Sequence, residues 1–599
     1  MFQDFTATTN PNDGPPRLAA LRAEMTAEGL DGFLVPRADV HQGEYVAAHD
    51  ARLAWLTGFT GSAGFCAALH NMAGVFVDGR YRVQVKSQVA DVFTPVDWPE
   101  TRLGPWLCQH LPEGAKLGLD PWLHTVSEVE TLRRDLDARG ISLVPVDNLV
   151  DRIWDDQPAP PLAPVTVQPV EFAGKSHDEK RRELAQDLRD AGDNAAVITL
   201  ADSLAWLLNI RGGDIERNPV PHGFAILFDD GRVDLFIAPE KIDGIVDHFG
   251  PDVSLHKPAS FLSRLTDLAG PIRLDRSSAP LAVEAALGSA GIEISYGNDP
   301  CALPKARKTE AEIAGSVEAH LRDGAAVCEF LSWFDDKAKT GITEIDMVRH
   351  LEECRRATNA LLDLSFDTIA GSGPHGAIMH YRVTEESNRT LTPGDLVVLD
   401  SGGQYRDGTT DITRTLPVGA VGAEEKAAFT RVLKGMIAVS RMRWPRGLAG
   451  CHIEAIGRLP LWMAGQDFDH GLGHGVGAYL CVHEGPQRLS RVSDVPLEPG
   501  MILSNEPGYY REGAFGIRIE NLIAVEEAPA LPGGDDHRQM LQFRTLTFAP
   551  IDRRMIDLSL LDSEERRWID EYHATCRQHL SPRLANDAAM WLDRATAPL

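Results

Sequence analysis

The sequence has no pair of cysteines at the spacing that binds a structural zinc ion. Its cysteines are scattered along the chain without a CxxC pair: Cys66, Cys108, Cys301, Cys328, Cys354, Cys451, Cys481 and Cys576. This distribution favours reduced thiols in a cytoplasmic protein. The sequence also has no run of about 18 apolar residues, which excludes a membrane-spanning helix of ordinary length. Because the first residues, Met-Phe-Gln-Asp-Phe-Thr, contain no basic stretch followed by an apolar one, we expect no secretory signal.

Lysine and arginine are scarce relative to aspartate and glutamate. There are 59 basic and 87 acidic side chains, so the formal net charge is -28 at pH 7. This balance argues against a nucleic-acid or anionic-membrane surface, although acidic side chains can still gather around a cation. With 599 residues, 43% of them hydrophobic and 24% charged, the chain has an ordinary globular composition. Its length predicts three or four domains.

The first part of the chain alternates helix and strand patterns. Leu18, Leu21 and Met25 follow a helical period, and apolar runs at 32–36 and 74–77 are typical of strands. We therefore predict an α/β domain over residues 1–156. The proline-rich run that follows indicates an extended linker over 157–169, because proline cannot join a helix interior or a sheet ladder.

The next part repeats the landmarks of the first. Leu-Ala-Trp-Leu at 204–207 matches the same tetrapeptide at 53–56, and the apolar run at 224–228 with its Asp-Gly turn matches 75–79. Repeated landmarks in the same order indicate a duplicated α/β domain, which we place at 170–300. A third domain at 301–540 begins with the capping box of Thr309 and Glu312. Its further helices are predicted at 343–354, 424–439 and 453–464.

The third domain is organised around an apolar run that ends in a carboxylate, Leu-Val-Val-Leu-Asp at 396–400. This pattern predicts a buried strand that delivers Asp400 to a pocket. Glycines and the Asp407–Gly408 turn then allow a second strand to bring Asp411 back beside Asp400. Two carboxylates at the dry end of a sheet repel each other unless a cation compensates them, so a pair of divalent ions is the candidate ligand.

Other metal-ligand types follow in the same domain. His470 and His474 lie four residues apart in a glycine-rich segment, and Glu506 and Glu520 each follow or interrupt an apolar run. Four carboxylates and one imidazole give mostly hard oxygen donors, which suit Mn, Co or Zn in a two-metal cluster better than a structural zinc site. The four negative charges would neutralise two divalent cations.

These motifs resemble those of the Xaa-Pro aminopeptidases (aminopeptidase P) of the pita-bread metallopeptidase family. The matching segments are GPHGAIMHYR at 373–382, DSGGQYRDGTTDITRT at 400–415, HGLGHGVG at 470–477, VHEGP at 482–486, NEPGYY at 505–510 and GIRIEN at 516–521. Further matches at 39–45, 78–81 and 572–576 extend the resemblance over nearly the whole chain. The resemblance implies two creatinase-like α/β domains, a pita-bread catalytic domain and, at 541–599, the C-terminal extension of the long, three-domain form found in animal cytosol.

The resemblance also implies a metal-ligand set. Asp400 chelates one metal ion, Asp411 and Glu520 bridge both, and His474 and Glu506 complete the other. Two ions about 3.5–4 Å apart lower the pKa of a bridging water towards about 7. The implied reaction is attack of the resulting hydroxide on the carbonyl of the first residue of a peptide with proline second. Manganese is the expected metal, with zinc or cobalt as alternatives, and a homodimer is the implied assembly.

Further roles follow from the same resemblance. Glu506 would carry the proton to the leaving nitrogen, which leaves poorly unless protonated. His380 and His483 would bind the peptide and stabilise the oxyanion, and His470 would line the proline pocket or assist proton movement. Arg518 would orient Glu520 or a substrate carboxylate, and Arg80 would reach the peptide from the first domain.

Two positions depart from the family pattern, and neither is a ligand. His375 stands where a small or amide residue is expected, so it could add a titrating group near the substrate. Asn505 stands where an acid is frequent.

Alternative functions have different sequence requirements. Prolidase, which cleaves Xaa-Pro dipeptides, is the nearest alternative, and the long form argues against it. The two extra domains argue against methionine aminopeptidase, and the intact ligand set argues against a non-catalytic peptide-binding relative. Zincin chemistry is excluded because His483–Glu484 lacks the second histidine of the HExxH motif.

Overall fold

The structure, a computed structural model, describes residues 1–535 and 537–599. The chain divides into two compact units. One comprises Thr8–Val170 and Lys175–Lys305, and the other comprises Met1–Ala7, Glu171–Gly174 and Ala306–Leu599. In the part of the chain that the structure describes, no helix is both long enough and apolar enough to cross a membrane.

The first half of the first unit is a six-stranded mixed sheet with helices packed against it. Its strand order is β4-β3-β2-β1-β5-β6. The strands are β1 (Gly32–Pro36), β2 (Phe65–Leu69), β3 (Ala73–Val77), β4 (Thr94–Asp97), β5 (Lys116–Leu119) and β6 (Ser142–Pro145). The helices are α1 (Gly14–Ala27), α2 (Arg52–Thr57), α3 (Gln84–Gln88), α4 (Leu103–His110) and α5 (Val126–Leu136).

The second half contains another six-stranded sheet, with the order β12-β11-β10-β8-β13-β14, and a short ladder of β7 with β9. The strands are β7 (Thr166–Val167), β8 (Ala195–Ile198), β9 (Ile210–Arg211), β10 (Phe224–Phe228), β11 (Val233–Phe236), β12 (Val253–His256), β13 (Ile272–Leu274) and β14 (Ile294–Tyr296). The helices are α6 (Val170–Ala173), α7 (His177–Ala191), α8 (Ala201–Leu207), α9 (Pro239–Ile242), α10 (Phe261–Leu265), α11 (Leu281–Ser289) and α12 (Ala302–Ala306).

The two sheets have the same topology, which confirms the duplication indicated by the repeated sequence landmarks. In the first sheet, β1 pairs antiparallel with β2 and parallel with β5. In the second sheet, β8 pairs in the same way, antiparallel with β10 and parallel with β13. Of the linker predicted at 157–169, residues 157–165 form neither helix nor strand, whereas Thr166–Val167 form the short strand β7.

The second unit contains the remaining strands in several small sheets. The strands are β15 (Asp363–Leu364), β16 (Ile369–Ser372), β17 (Leu396–Ser401), β18 (Gly403–Tyr405), β19 (Gly408–Thr409), β20 (Ile412–Pro417), β21 (Arg443–Pro445), β22 (Gly473–Gly475), β23 (Glu484–Leu489), β24 (Ile502–Asn505), β25 (Gly508–Arg511), β26 (Phe515–Arg518), β27 (Asn521–Glu527) and β28 (Met540–Thr545). The principal sheet has six strands in the order β21-β28-β27-β24-β22-β23, beside a three-stranded sheet β16-β17-β20.

Long helices cover these sheets. They are α13 (Glu310–Lys337), α14 (Glu344–Arg356), α15 (Ala423–Ser440), α16 (Gly450–Trp462), α17 (Ser563–Leu580) and α18 (Asn586–Ala595). The predicted capping box of Thr309 and Glu312 starts α13. Buried apolar side chains of α13 and α14 pack against β17, among them Phe330, Val348, Val397 and Leu399. The strands that carry the acidic residues are therefore held on a rigid apolar core.

Candidate active site

Asp400 and Asp411 meet because β17 and β20 pair antiparallel. In this ladder Asp400 is opposite Thr413, and Asp411 directly precedes β20, two residues before Thr413, so the two aspartates are diagonal neighbours across the strand pair. Both side chains are buried, Asp400 at 7% and Asp411 at 3% exposure. The predicted return of Asp411 to Asp400 is thus confirmed, with the short strands β18 and β19 forming the turn between them.

The other three acidic or imidazole residues come from the principal sheet. His474 lies on β22, Glu506 directly follows β24, and Glu520 directly precedes β27. The pairing of β24 with both β22 and β27 brings them together. The backbone N–H of Glu520 donates to the carbonyl of Thr413 at 3.1 Å, which joins this sheet to the strand that follows Asp411.

The five residues converge on one site. Ligand atoms of Asp411, His474 and Glu520 all lie within 4.8 Å of one another. The Nε2 atom of His474 is 3.5 Å from Asp411 Oδ2 and 3.5 Å from Glu506 Oε1. His474 Nδ1 lies 2.9 Å from the Gly475 carbonyl and donates to it, so Nε2 is the nitrogen that faces the carboxylate oxygens. In the neutral imidazole Nε2 carries a lone pair, and a metal ion between Nε2 and the carboxylates would satisfy all three atoms.

The donor set fits a divalent metal cluster. Three buried carboxylate oxygens of this set have no hydrogen-bond partner among the described residues: Asp400 Oδ1, Asp411 Oδ1 and Glu520 Oε1. Such atoms are costly to bury unless a ligand satisfies them. In two of these carboxylates the second oxygen is held by a hydrogen bond. Glu520 Oε2 accepts from the Thr413 hydroxyl at 2.7 Å, and Asp400 Oδ2 accepts from Arg518.

Electrostatics lead to the same conclusion. Burial, reinforced by the charges of Asp400 and Glu506, raises the pKa of Asp411 well above its usual range. Burial also raises the pKa of Glu520 well above its usual range, with Asp411, Asp400 and Glu506 adding repulsion. The pKa of Glu506 is raised by burial, which the nearby His474 and Arg518 oppose. The carboxylates therefore cannot all be ionised cheaply without additional positive charge.

Arg518 contacts Asp400 directly, whereas the predicted target was Glu520 or a substrate carboxylate. Its Nη2 atom donates to Asp400 Oδ2 at 2.6 Å and its Nε atom donates to the same oxygen at 3.2 Å. Its Nε atom also donates at 3.3 Å to the Thr413 hydroxyl, which in turn donates to Glu520. Arg518 ends β26, and its side chain reaches the end of β17, whereas Glu520 is held by Thr413. Tyr510 joins this network, because its hydroxyl accepts from Arg518 Nη1 at 2.6 Å and lies 2.9 Å from His470 Nε2.

Tyr510 is a site residue that the sequence interpretation missed. Burial raises the pKa of Tyr510 to about 12, and the neighbouring Arg518 opposes the shift. Its hydroxyl links His470 to Arg518 and so to Asp400. The sequence signal for Tyr510 was its position four residues after Glu506. The structure places it on β25, which pairs with β26, the strand that ends in Arg518.

Family models and relatives agree with this geometry. Residues 316–527 match the model described as metallopeptidase family M24, residues 17–153 and 156–312 each match a creatinase/prolidase N-terminal domain, and residues 539–599 match the C-terminal region of peptidase M24. A probable Xaa-Pro aminopeptidase P of Laccaria bicolor is 38% identical, over 100% of this chain and 95% of that protein. The chain belongs to metallopeptidase family M24.

Other relatives agree. A probable Xaa-Pro aminopeptidase P of Talaromyces marneffei is 37% identical, over 98% of this chain and 92% of that protein. The crystal structure of an X-prolyl aminopeptidase from Caenorhabditis elegans, described as a cytosolic enzyme with a di-nuclear active site, matches with a TM-score of 0.93. It is 32% identical and covers 98% of this chain and 99% of that one. An Xaa-Pro dipeptidase from Bacillus anthracis, 24% identical with a TM-score of 0.50, covers 63% of this chain and 99% of that one and shares the fold.

These findings confirm the creatinase-like and pita-bread domains and the assignment as a hydrolase. The remaining predicted residues of this M24 metallopeptidase lie as follows. The ring of His483 packs edge-on against that of His474, with centroids 4.3 Å apart. His380 follows Met379, whose carbonyl accepts from Arg518 at 3.2 Å. Arg80 lies in the other compact unit, where its guanidinium binds both oxygens of Asp78.

His375, which departs from the family pattern, contacts a buried carboxylate. Its Nδ1 atom lies 3.0 and 3.1 Å from the two oxygens of Glu344, and its ring stacks on Tyr381.

A buried arginine binds the backbone carbonyl of the candidate metal ligand Glu520. Arg414 donates to the Glu520 carbonyl at 2.6 Å and to Asn521 Oδ1 at 2.9 Å. The same guanidinium donates to the Ala549 carbonyl and to the hydroxyl of Tyr572 on α17. The C-terminal region is thereby joined to the backbone of a site residue.

Proposed function

We propose that this M24 metallopeptidase is an Xaa-Pro aminopeptidase, which releases the N-terminal residue from peptides with proline in second position. The observation that carries the proposal is the convergence of Asp411, His474 and Glu520 beside Asp400 and Glu506, with three buried carboxylate oxygens that have no hydrogen-bond partner among the described residues. The names of the full-length relatives in two fungi and in Caenorhabditis elegans support the substrate class.

We propose two divalent ions, with manganese as the resident metal. Asp400 would bind one ion, Asp411 and Glu520 both, and His474 and Glu506 the other. Four carboxylates balance two dications, and the oxygen-rich set favours manganese among the borderline metals. When bound, the ions supply Lewis acidity and lower the pKa of a coordinated water.

The side chains around this cluster have separable roles. Glu506 borders the cluster and is placed to pass a proton to the proline nitrogen as the bond breaks. His380 and His483 are the proposed peptide and oxyanion contacts.

Three further residues complete the proposed site. His470 is hydrogen-bonded to the Tyr510 hydroxyl. It is placed to assist proton movement or to border the proline pocket. Arg518 holds one oxygen of Asp400, which orients the other oxygen towards the cluster. Arg80 is proposed to reach the peptide on the strength of the family resemblance alone.

The domain boundaries are proposed at 1–156, 157–169, 170–300, 301–540 and 541–599. A homodimer is the proposed assembly on the strength of the family resemblance, and three exposed apolar side chains at the end of α16 are compatible with it: Leu459, Trp462 and Met463, at 52%, 40% and 81% exposure. A cytoplasmic location is supported by the eight free thiols and by the cytosolic relative.

Prolidase activity is the second candidate function, because the Bacillus anthracis dipeptidase shares the fold. A product assay separates the two. We expect release of free arginine from Arg-Pro-Pro in the presence of manganese. Cleavage of the dipeptide Arg-Pro with no cleavage of the tripeptide would instead assign a prolidase.

A further inference from the structure

Glu344 is a fully buried carboxylate at the first position of α14, with 0% exposure. Its oxygens accept hydrogen bonds from one continuous stretch of chain. Ser372 donates through its backbone N–H at 2.7 Å and its hydroxyl at 2.9 Å. The Tyr381 hydroxyl and the Arg389 backbone N–H each donate at 3.1 Å, and His375 Nδ1 lies 3.0 Å away.

The nearby guanidinium of Arg389 does not compete for Glu344, because it binds Asp395. Among the described residues, His375 is the side chain within ion-pair distance of Glu344. A buried carboxylate that accepts several N–H and O–H donors fixes the positions of the groups that supply them. All of those groups lie between residues 372 and 389.

The proposed oxyanion contact His380 lies inside this stretch. The residue after it, Tyr381, is held by Glu344, and the carbonyl of the residue before it, Met379, is held by Arg518. The backbone N–H of Tyr381 also donates to the Ile378 carbonyl at 3.0 Å, which closes a turn around His380. His380 is therefore bracketed by two anchored neighbours.

The opposite side of the stretch is fixed by a backbone contact. Gly376 and Gly516 approach so closely that a Cβ atom on Gly516 would overlap the Gly376 carbonyl. Gly516 lies on β26, the strand that ends in Arg518. The stretch is thus clamped between β26 and the start of α14.

We propose that Glu344 is a positioning residue that holds residues 372–381 and, through them, sets the place of the His380 imidazole. The inference rests on the proposed function of His380. Catalysis that depends on a charged transition state is sensitive to small displacements of a hydrogen-bond donor, so loosening this stretch lowers kcat more than it raises KM.

The test is a double-mutant cycle of Glu344→Gln, His380→Ala and the combined variant on Arg-Pro-Pro. Glutamine keeps the size of glutamate but replaces one acceptor oxygen by an amide donor. We expect Glu344→Gln to lower kcat about ten- to a hundred-fold at unchanged metal content, and to have almost no further effect in the His380→Ala background. Additive losses would overturn the proposal, as would loss of metal.

A matched control lies on the same helix. Glu352 is also buried and accepts the backbone N–H of Phe2 at 2.8 Å, away from the 372–381 stretch. Glu352→Gln is expected to keep kcat within about three-fold of wild type. If Glu344→Gln fails to fold, His375→Ala removes one donor, and we expect a smaller fall in kcat that also vanishes beside His380→Ala.

Hydrogen exchange separates this inference from the proposed activity. In Glu344→Gln, amides of 372–381 should exchange at least about ten-fold faster, while Glu352→Gln leaves that segment unchanged. If Glu344→Gln exchanges faster but even the wild type cleaves no peptide, the proposed function is refuted, while the role of Glu344 in holding residues 372–381 stands. Unchanged exchange in Glu344→Gln would overturn the inference whatever the activity.

Discussion

Three buried oxygen atoms, on Asp400, Asp411 and Glu520, are the residue-scale basis for the metal site. The sequence predicted these residue types because each carboxylate adjoins an apolar strand. It could not predict that Arg518 binds Asp400. That contact depends on the rotamer of Arg518 and on the packing of β26 against β17, which are distant in sequence. Tyr510 was missed for the same reason.

Replacing a ligand should remove metal and activity together. We expect Asp400→Asn and Glu520→Gln to lose bound metal, because each removes a charge that offsets the cations. Metal analysis of the purified variants measures this directly. Asp407→Asn is the control, since Asp407 lies in the same turn but pairs with Arg322. Full metal content and activity in the ligand variants would contradict the assignment.

The histidines beside the cluster should behave differently. His380→Ala and His483→Ala are expected to lower kcat by about ten- to a thousand-fold while both metal ions stay bound, as for lost transition-state contacts. His350→Ala, which removes a ring stacked on Trp333 away from the site, should leave kcat near wild type. Collapse of the metal stoichiometry in the first two variants would make them ligands or core residues instead.

His573 makes stability depend on pH. It has 0% exposure and accepts the Ile551 N–H at Nε2, and burial lowers its pKa to about 3. An unfolded histidine has a pKa of about 6.5, so below that pH only the unfolded chain takes the proton. The free energy of unfolding should therefore fall by about 2 kcal/mol from this residue between pH 7 and pH 5.

His573→Gln should flatten that part of the pH dependence, since its amide oxygen can accept the same N–H without titrating. Denaturant unfolding at pH 7 and pH 5 provides the comparison, with the partly exposed His350→Gln as the control. An identical pH dependence in wild type and His573→Gln would contradict this role.

At the scale of elements, local signals predicted more than long-range pairings. The strand at 32–36 and the strand at 224–228 have the predicted bounds, because turn residues flank each apolar run. The helix predicted at 343–354 is α14, one residue later at its start and two later at its end, and its start is fixed by the Thr343 cap. Which strands pair, and hence how β22, β24 and β27 bring the three candidate ligands His474, Glu506 and Glu520 together, depends on contacts far apart in sequence.

The contact of β26 with the segment before His380 tolerates no side chain. Gly516→Ala would place its Cβ on the Gly376 carbonyl, and backbone atoms on both sides leave no room to move. We expect severe loss of activity and a lower thermal midpoint. Gly288→Ala is the control, because a Cβ built at that helical position meets no described atom within 4 Å apart from its chain neighbours and the backbone of its own helix. Near-normal activity of Gly516→Ala would show that β26 can move away from the Gly376 carbonyl, which would contradict this prediction.

At the scale of the whole molecule, the fold alone does not determine the substrate. The same fold carries a dipeptidase in Bacillus anthracis and an X-prolyl aminopeptidase in Caenorhabditis elegans. The duplicated α/β halves could be predicted from the sequence because their landmarks repeat. The substrate must be argued from the site, and then measured on peptides that differ in one group.

The substitution of proline by alanine in the second position isolates the specificity. A proline ring fills an apolar pocket that alanine leaves partly empty, which is worth about 1–3 kcal/mol. The proline nitrogen also has no N–H, so a site shaped for it leaves the donor of an alanine peptide unpaired. Both effects act in the same direction.

A product assay with manganese supplied, on Arg-Pro-Pro, Arg-Ala-Pro and acetyl-Arg-Pro-Pro, tests the proposed activity most directly. We predict release of free arginine from Arg-Pro-Pro, little or none from Arg-Ala-Pro, and no cleavage of the acetylated peptide, which lacks the free amine. Comparable turnover of the alanine peptide, or cleavage of the acetylated one, would contradict an Xaa-Pro aminopeptidase.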